Sequence, residues 1–324
     1  MFAGGRMAGL CWGAVSLGLL LSVGNIWAHF PRPDEAQIAE IVNDLWNRYQ
    51  PSYISRFKEE LNDEQAQCRY PMFSLAVRIP YDHGVQRYDV SRVADRPDDV
   101  RKAIVGCDVY ASETMVAATV LKWPNVLDQC PDARVPWKGV LLRCGILTCG
   151  RGMTWAEVQR ECPGAVRDGR ANHAESRVVD NFNTLMVNRN KDDFLLFYVL
   201  ASPCDQKCAS ETSRFSILEK INVITEWTNY AVVFSDLFKP KNGKAPPECK
   251  LERALQLLGN QIGLQNIFRC DGSVPCTRCD SGDDVTPFCY SDDPRHAPKA
   301  ISKAAPQRWV QTLTQIFKYL RYSG

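Results

Sequence analysis

Between residues 230 and 268 the chain sets a full amphipathic helix between two short apolar runs, and this order restricts the fold more than any other feature. Residues 230–234 and 264–268 read as strands. Between them, Leu251, Ala254, Leu255 and Leu258 recur at helical spacing, and Gly259 closes the helix. Antiparallel neighbours need only a short turn, so an intervening helix makes the two strands parallel. The alternation extends upstream. Val178, Val179, Phe182, Leu185 and Met186 form a helical stripe, and 194–201 is an unbroken apolar run between Asp192-Asp193 and Ser202-Pro203. Phe215, Leu218, Ile221, Ile224 and Trp227 mark a further helix. Helix and strand in regular exchange predict crossover units in a largely parallel sheet flanked by helices.

The N-terminal half supplies the antiparallel part. Asp34 with Gln37 is a capping-box pattern ahead of a helix over 34–50, whose inner face carries Ile38, Ile41, Val42, Leu45, Trp46 and Tyr49. Phe73, Leu75, Val77 and Ile79 alternate with smaller or polar residues, as in a strand. Residues 81–102 mix Arg with Asp and read as a solvated loop. Two runs, 114–121 and 139–144, compete as the strand beside 73–79. Thr154 and Glu157 predict a second capped helix, ended by Pro163-Gly164, and a basic loop over 164–172 then leads into His173.

Both ends carry other signals. Arg6, the apolar run from Leu10 to Val23 and the small residue Ala28 make 1–28 a secretory signal, with an uncleaved anchor as the alternative. The chain after cleavage has no membrane span and is expected to be extracellular. Fourteen cysteines fit that oxidising compartment. Residues 29–270 make the main domain. Residues 271–324 add a Cys- and Asp-rich loop and a basic amphipathic helix from Pro306 onward. Cys270, Cys276, Cys279 and Cys289 are expected to form disulfides, a four-cysteine zinc site being the other option. The formal charge of +2 excludes whole-molecule attraction to nucleic acid, so any such contact must be local.

His173, Glu175, Cys204 and Cys208 fall at boundaries between these elements. One imidazole and two thiols are a three-ligand set for a catalytic zinc with its fourth position open, and Glu175 is suited to moving protons. Each half of the set is read at a helix start, where the helix dipole favours thiolate. The opposing reading makes His173 a surface residue and joins Cys204 to Cys208 or to other cysteines. With Cys204 and Cys208 set aside, an odd thiol remains, free or bridging to a second chain. A disulfide-linked or non-covalent oligomer is therefore open.

His173-x-Glu175 followed by Pro203-Cys204-x3-Cys208 resembles the signature of the AID/APOBEC-type cytidine deaminases. The signal segment and cysteine content make the chain similar in particular to the secreted novel AID/APOBEC-like deaminases. Ser202-Pro203-Cys204 matches that family's S-P-C, with Ala201 in place of its usual aromatic. The resemblance implies a cytidine-deaminase-like α/β fold: a mixed five-stranded sheet with parallel last two strands, flanked by helices, with disulfide-rich additions. It implies one Zn2+ per chain on His173, Cys204 and Cys208, and Glu175 as proton shuttle in converting cytosine to uracil. The substrate would be single-stranded DNA or RNA, in host defence. Asn172, Ser202, Phe238 and Lys239 are candidate substrate contacts, the last two in the loop after the fourth strand. Two other functions stand beside this one: deamination of a free cytidine nucleoside, and a non-catalytic secreted binding protein on the same fold.

Overall fold

A computed structural model describes residues 31–56, 68–146, 152–240, 245–272, 275–282 and 284–298. The expected signal segment and the helix from Pro306 lie outside the described residues. Helix α1 (Glu35–Tyr49) begins at Asp34, whose carboxylate accepts the Gln37 N–H at 2.7 Å. Its buried stripe includes Trp46, which packs on Phe73 and Tyr198 at ring-centroid distances of 5.5 and 6.0 Å. Strand β1 (Phe73–Ile79) is buried throughout. The stretch expected to be a solvated loop instead contains helix α2 (Pro97–Val105). Proline sits at its first position, and Val100 and Ile104 point inward, so two apolar residues suffice to seat it.

Strand β2 (Met115–Thr119) pairs antiparallel with β1, Leu75 opposite Ala117, which decides between the two competing runs. The other run is not a strand but helix α3 (Lys138–Arg143), with Val140 buried and Leu142 58% exposed. Short apolar runs do not distinguish the two structures. This one packs away from the sheet, in a second small core with Trp123, Val135, Trp137, Trp155 and Val158. Helix α4 (Trp155–Glu161) carries the expected reciprocal capping box of Thr154 and Glu157. The segment between β2 and His173, an insertion that carries this second core, is tied by the Cys107–Cys130 and Cys144–Cys162 disulfides.

The stripe after His173 divides. Helix α5 (Ala174–Val179) stops at Asp180, and a 3-10 turn continues over Phe182–Met186. Strand β3 (Phe194–Ala201) is the sheet centre: Leu196 lies opposite Val77 in antiparallel β1 and opposite Ala231 in parallel β4 (Asn229–Asp236). Cover on both faces accounts for its continuous apolar sequence. The expected helix over 215–227 is a 3-10 helix (Lys220–Glu226). Its apolar residues recur at a uniform spacing of three, the period of a 3-10 rather than an α-helix.

Helix α6 (Glu248–Ile262) crosses back so that β5 (Ile267–Arg269) runs parallel to β4, Val233 opposite Phe268. It passes through Gly259 and ends at Gly263, where φ is +81°. A Cβ on Gly259 would meet the Leu264 side chain at 2.5 Å, so this glycine admits the returning chain instead of ending the helix. The sheet order is Thr277–Arg278, β5, β4, β3, β1, β2, Tyr110–Ala111: the five expected strands with a two-residue strand added at each edge. Cys270–Cys276 and Cys279–Cys289 are disulfides, which removes the four-cysteine zinc option. Among the described residues, no helix is long and apolar enough to cross a membrane.

Candidate active site

The C-terminal ends of β3 and β4 and the start of α5 meet at one cleft of about 320 Å³. His173 is the N-cap residue of α5, and Glu175 lies in its first turn, 8% exposed. Two and three residues beyond β3 come Pro203 and Cys204. The expected helix start does not form there: 205–209 are turns, closed by Ala209 N–H donating to Cys204 O at 2.9 Å. Pro203 lacks an N–H, and the turn instead brings Cys208 N–H onto the Cys204 sulfur at 3.4 Å. Backbone donation thus replaces a helix terminus in supporting the sulfur.

His173 Nδ1 lies 3.1 Å from Cys208 Sγ and 3.7 Å from Cys204 Sγ, and the sulfurs are 3.6 Å apart. Four bonds of about 2.3 Å to sulfur and about 2.0 Å to nitrogen, in a tetrahedron, would separate the donors by about 3.5–3.8 Å. The two distances from the Cys204 sulfur match an edge of such a tetrahedron, the 3.1 Å from His173 Nδ1 to Cys208 Sγ is shorter than one, and the sulfurs are too far apart to be bonded to each other. Among the described residues, His173, Cys204 and Cys208 are the one group of this kind able to hold a metal ion. Glu175 is not part of it. Its Oε1 is 3.8 Å from Cys208 Sγ, and its side chain also lines the cleft.

Of the three donors, Cys204 is the one held toward its ligating form. The contact with the Cys208 sulfur, and then His173, hold the Cys204 thiol well below its ordinary pKa. Cys208 is pushed well above the ordinary thiol value by the same contact and by burial. Burial opposes protonation of His173, but the Cys204 sulfur and the Glu175 charge outweigh it and raise its pKa. Burial raises Glu175. The thiolate, not the thiol, is the form that ligates metal.

Residues 147–293 match the family model described as Secreted Novel AID/APOBEC-like Deaminase 1, SNAD1. That segment resembles the SNAD1 family. It holds all four residues of the His-Glu-Cys-Cys set, together with β3, β4, α6 and β5. The mixed sheet with its parallel β3, β4 and β5 is the deaminase-like fold expected for that family. No curated protein and no solved structure matches the chain.

The other expected contacts divide. Phe238 and Lys239 line the cleft, and the Phe238 ring centroid is 6.4 Å from that of His173. Asn172 and Ser202 do not line it. Asn172 is paired with Leu121 in a short two-stranded ladder. Ser202 is 1% exposed, and its hydroxyl accepts the Phe238 N–H at 3.0 Å, so it positions the loop that carries Phe238. Sequence reasoning passed over Lys122 and Lys207, which also line the cleft, and Met72, Phe73 and Ser74 at the entry to β1. Lys207 sits inside the Cys204-x3-Cys208 spacing, a signal available without the structure.

Proposed function

We propose that this chain is a secreted, zinc-dependent deaminase that converts cytosine to uracil in single-stranded DNA or RNA. The convergence of the His173, Cys204 and Cys208 donor atoms beside a buried carboxyl on the floor of a cleft carries this reading. The match to the SNAD1 family and the four disulfides support secretion and the reaction class.

His173, Cys204 and Cys208 would hold the Zn2+, whose Lewis acidity makes water a nucleophile near neutral pH. Glu175 takes the proton that the water releases, returns it to the ring nitrogen of cytosine, and then assists departure of the amino group as ammonia. Burial fits it to this exchange, because a raised carboxyl pKa lies closer to the pH at which the proton must go both ways. Val120, Ala174, Leu200 and Ala201 give the cleft apolar walls that keep bulk water off the reacting carbon. Phe238 offers an aromatic face beside His173, on which a base can rest.

Lys122 and Lys207 around the cleft favour a phosphate-bearing substrate over a free nucleoside. The deciding experiment is metal analysis of the purified native protein combined with uracil formation on single-stranded oligonucleotides and on free cytidine. One zinc per chain with activity on the oligonucleotide is expected. Turnover of the nucleoside alone would reverse the substrate order. Absence of zinc together with a Cys204–Cys208 disulfide would leave a non-catalytic binding protein.

A further inference from the structure

Away from the cleft lining, Arg78, Arg92, Arg189, Arg269 and Arg278 each face a carboxylate. Even Lys239, at the cleft rim, is held by Asp292 at 2.6 Å. A set of cations gathers instead around a single piece of backbone, Ala171, two residues before His173.

Lys122 is paired with Ala171 across the short ladder, and its side chain lines the cleft. Lys207 Nζ donates to Ala171 O at 3.4 Å and lies 6.0 Å from the Phe215 ring centroid. Arg214 lies over that same ring at 4.6 Å. Arg170, adjacent to Ala171 in the chain, covers the Trp137 ring at 4.4 Å. Among the described residues, Arg170, Lys207 and Arg214 have no ion pair. Burial lowers the Arg170 pKa, and the like charges of Arg143 and Arg214 lower it further, with no carboxylate acting to raise it. Cations brought together without a carboxylate repel one another, a cost that a bound polyanion would remove. Cations resting on aromatic faces, and opening from a cleft, match the way single-stranded nucleic acid is held.

We infer that Lys122, Lys207, Arg170, Arg214 and Arg143 form a track for the phosphodiester backbone of a single-stranded nucleic acid, leading from the cleft onto the disulfide-tied insertion. This rests on the reading of the site as a polynucleotide deaminase, but adds the surface that holds the strand beyond the target base. The insertion then has a role of its own, because its second core fixes Trp137 and, through it, Arg170.

The test uses the full chain and a dye-labelled, thymine-only DNA strand of about 15 nucleotides, long enough to cover a groove yet without a base to deaminate. Binding is measured by fluorescence anisotropy across a salt series. The variants are Arg214→Glu and Arg143→Glu/Arg214→Glu, both on exposed side chains. Arg56→Glu/Arg87→Glu, at cations that face Asp132 and Glu40, is the control with the same charge change, and thermal midpoints verify folding. The double track variant is expected to bind at least about tenfold more weakly near 0.1 M salt, and the slope of log affinity against log salt should fall by about 1.4, two phosphates' worth. The control should keep the parental slope. Parental binding with equal affinity and slope in the track and control variants would overturn the track alone. A parental protein that does not bind the strand, yet deaminates free cytidine, would overturn the polynucleotide reading and the track with it. A heparin chain bound more tightly than DNA, with the same dependence on Arg143 and Arg214, would replace the nucleic acid as occupant and overturn the proposal as stated.

Discussion

Arg177 and Thr119 lock the helix that begins at His173 to the second strand of the sheet: the Arg177 guanidinium donates to Thr119 O at 2.5 Å. Its other terminal nitrogen donates to Cys107 O at 2.7 Å, next to the Cys107–Cys130 disulfide. Burial brings the Arg177 pKa down to about 10, still charged at any pH the protein meets. Arg177→Met should strand both carbonyls and cost about 2–4 kcal/mol, seen as a lower thermal midpoint. Arg177→Lys keeps the charge but reaches only one carbonyl and should fall between. If both variants melt with the parent, Arg177 does not anchor α5.

Glu175→Gln keeps the size and hydrogen-bonding capacity of the side chain but cannot carry a proton. Loss of roughly 10²–10⁴ in deamination rate is expected. Zinc content should be unchanged, because Glu175 is outside the donor set. Parental activity in this variant would remove Glu175 from the reaction. Loss of the metal instead would make it a ligand.

Chelation offers an independent probe of the His173, Cys204 and Cys208 set. A metal bound only by the folded protein adds to its stability, so removal should lower the thermal midpoint, and re-addition of Zn2+ should restore it. Cys208→Ser should bind the metal more weakly and lose most of this response. A chelator effect of equal size in Cys208→Ser would place the metal elsewhere.

Asp236, at the end of β4, gives a pH signature. Burial raises its pKa from 3.8 to about 6; Arg269 and Lys239 oppose the rise, and Asp292 and Asp271 add to it. A carboxyl raised in the folded state binds its proton more tightly there than in the unfolded chain. Its contribution to stability is therefore full below about pH 4, falls as pH rises toward 6, and is a constant penalty above. Asp236→Asn should remove that fall, giving at most about 2 kcal/mol at pH 7 after allowance for partial solvent screening. Denaturant titrations at pH 4 and pH 7 check this, and an equal effect at both pH values would exclude the assignment.

Ser202→Ala removes the hydroxyl that accepts the Phe238 N–H. The expected result is a raised KM, with a smaller change in kcat, because the side chain positions a loop and touches no reacting atom. Ser202→Thr should restore KM if the hydroxyl alone is required. A fall in kcat with unchanged KM would contradict this role.

Much of the fold can be read from the chain because local periodicity is a local property. The apolar run of β3, the stripe of α1 and the helix between β4 and β5 all state their structure within a window of residues. The metal set is legible for a related reason: His173-x-Glu175 and Cys204-x3-Cys208 carry their chemistry in residue type and spacing. Where the chain was ambiguous, the competing signals were short. Residues 139–144 read as a candidate strand, and the helix over Lys138–Arg143 appears only with the packing against Trp137 and Trp155.

The chain by itself determined that a parallel pair of strands would form and which residues could hold a metal, since both follow from element order and side-chain chemistry. Only the tertiary structure decided that Lys122, Arg170, Lys207 and Arg214 meet around Ala171, that Ser202 supports Phe238, and which described cysteines join. These are meetings between residues far apart in the chain. They depend on how the whole backbone closes, which no local pattern records.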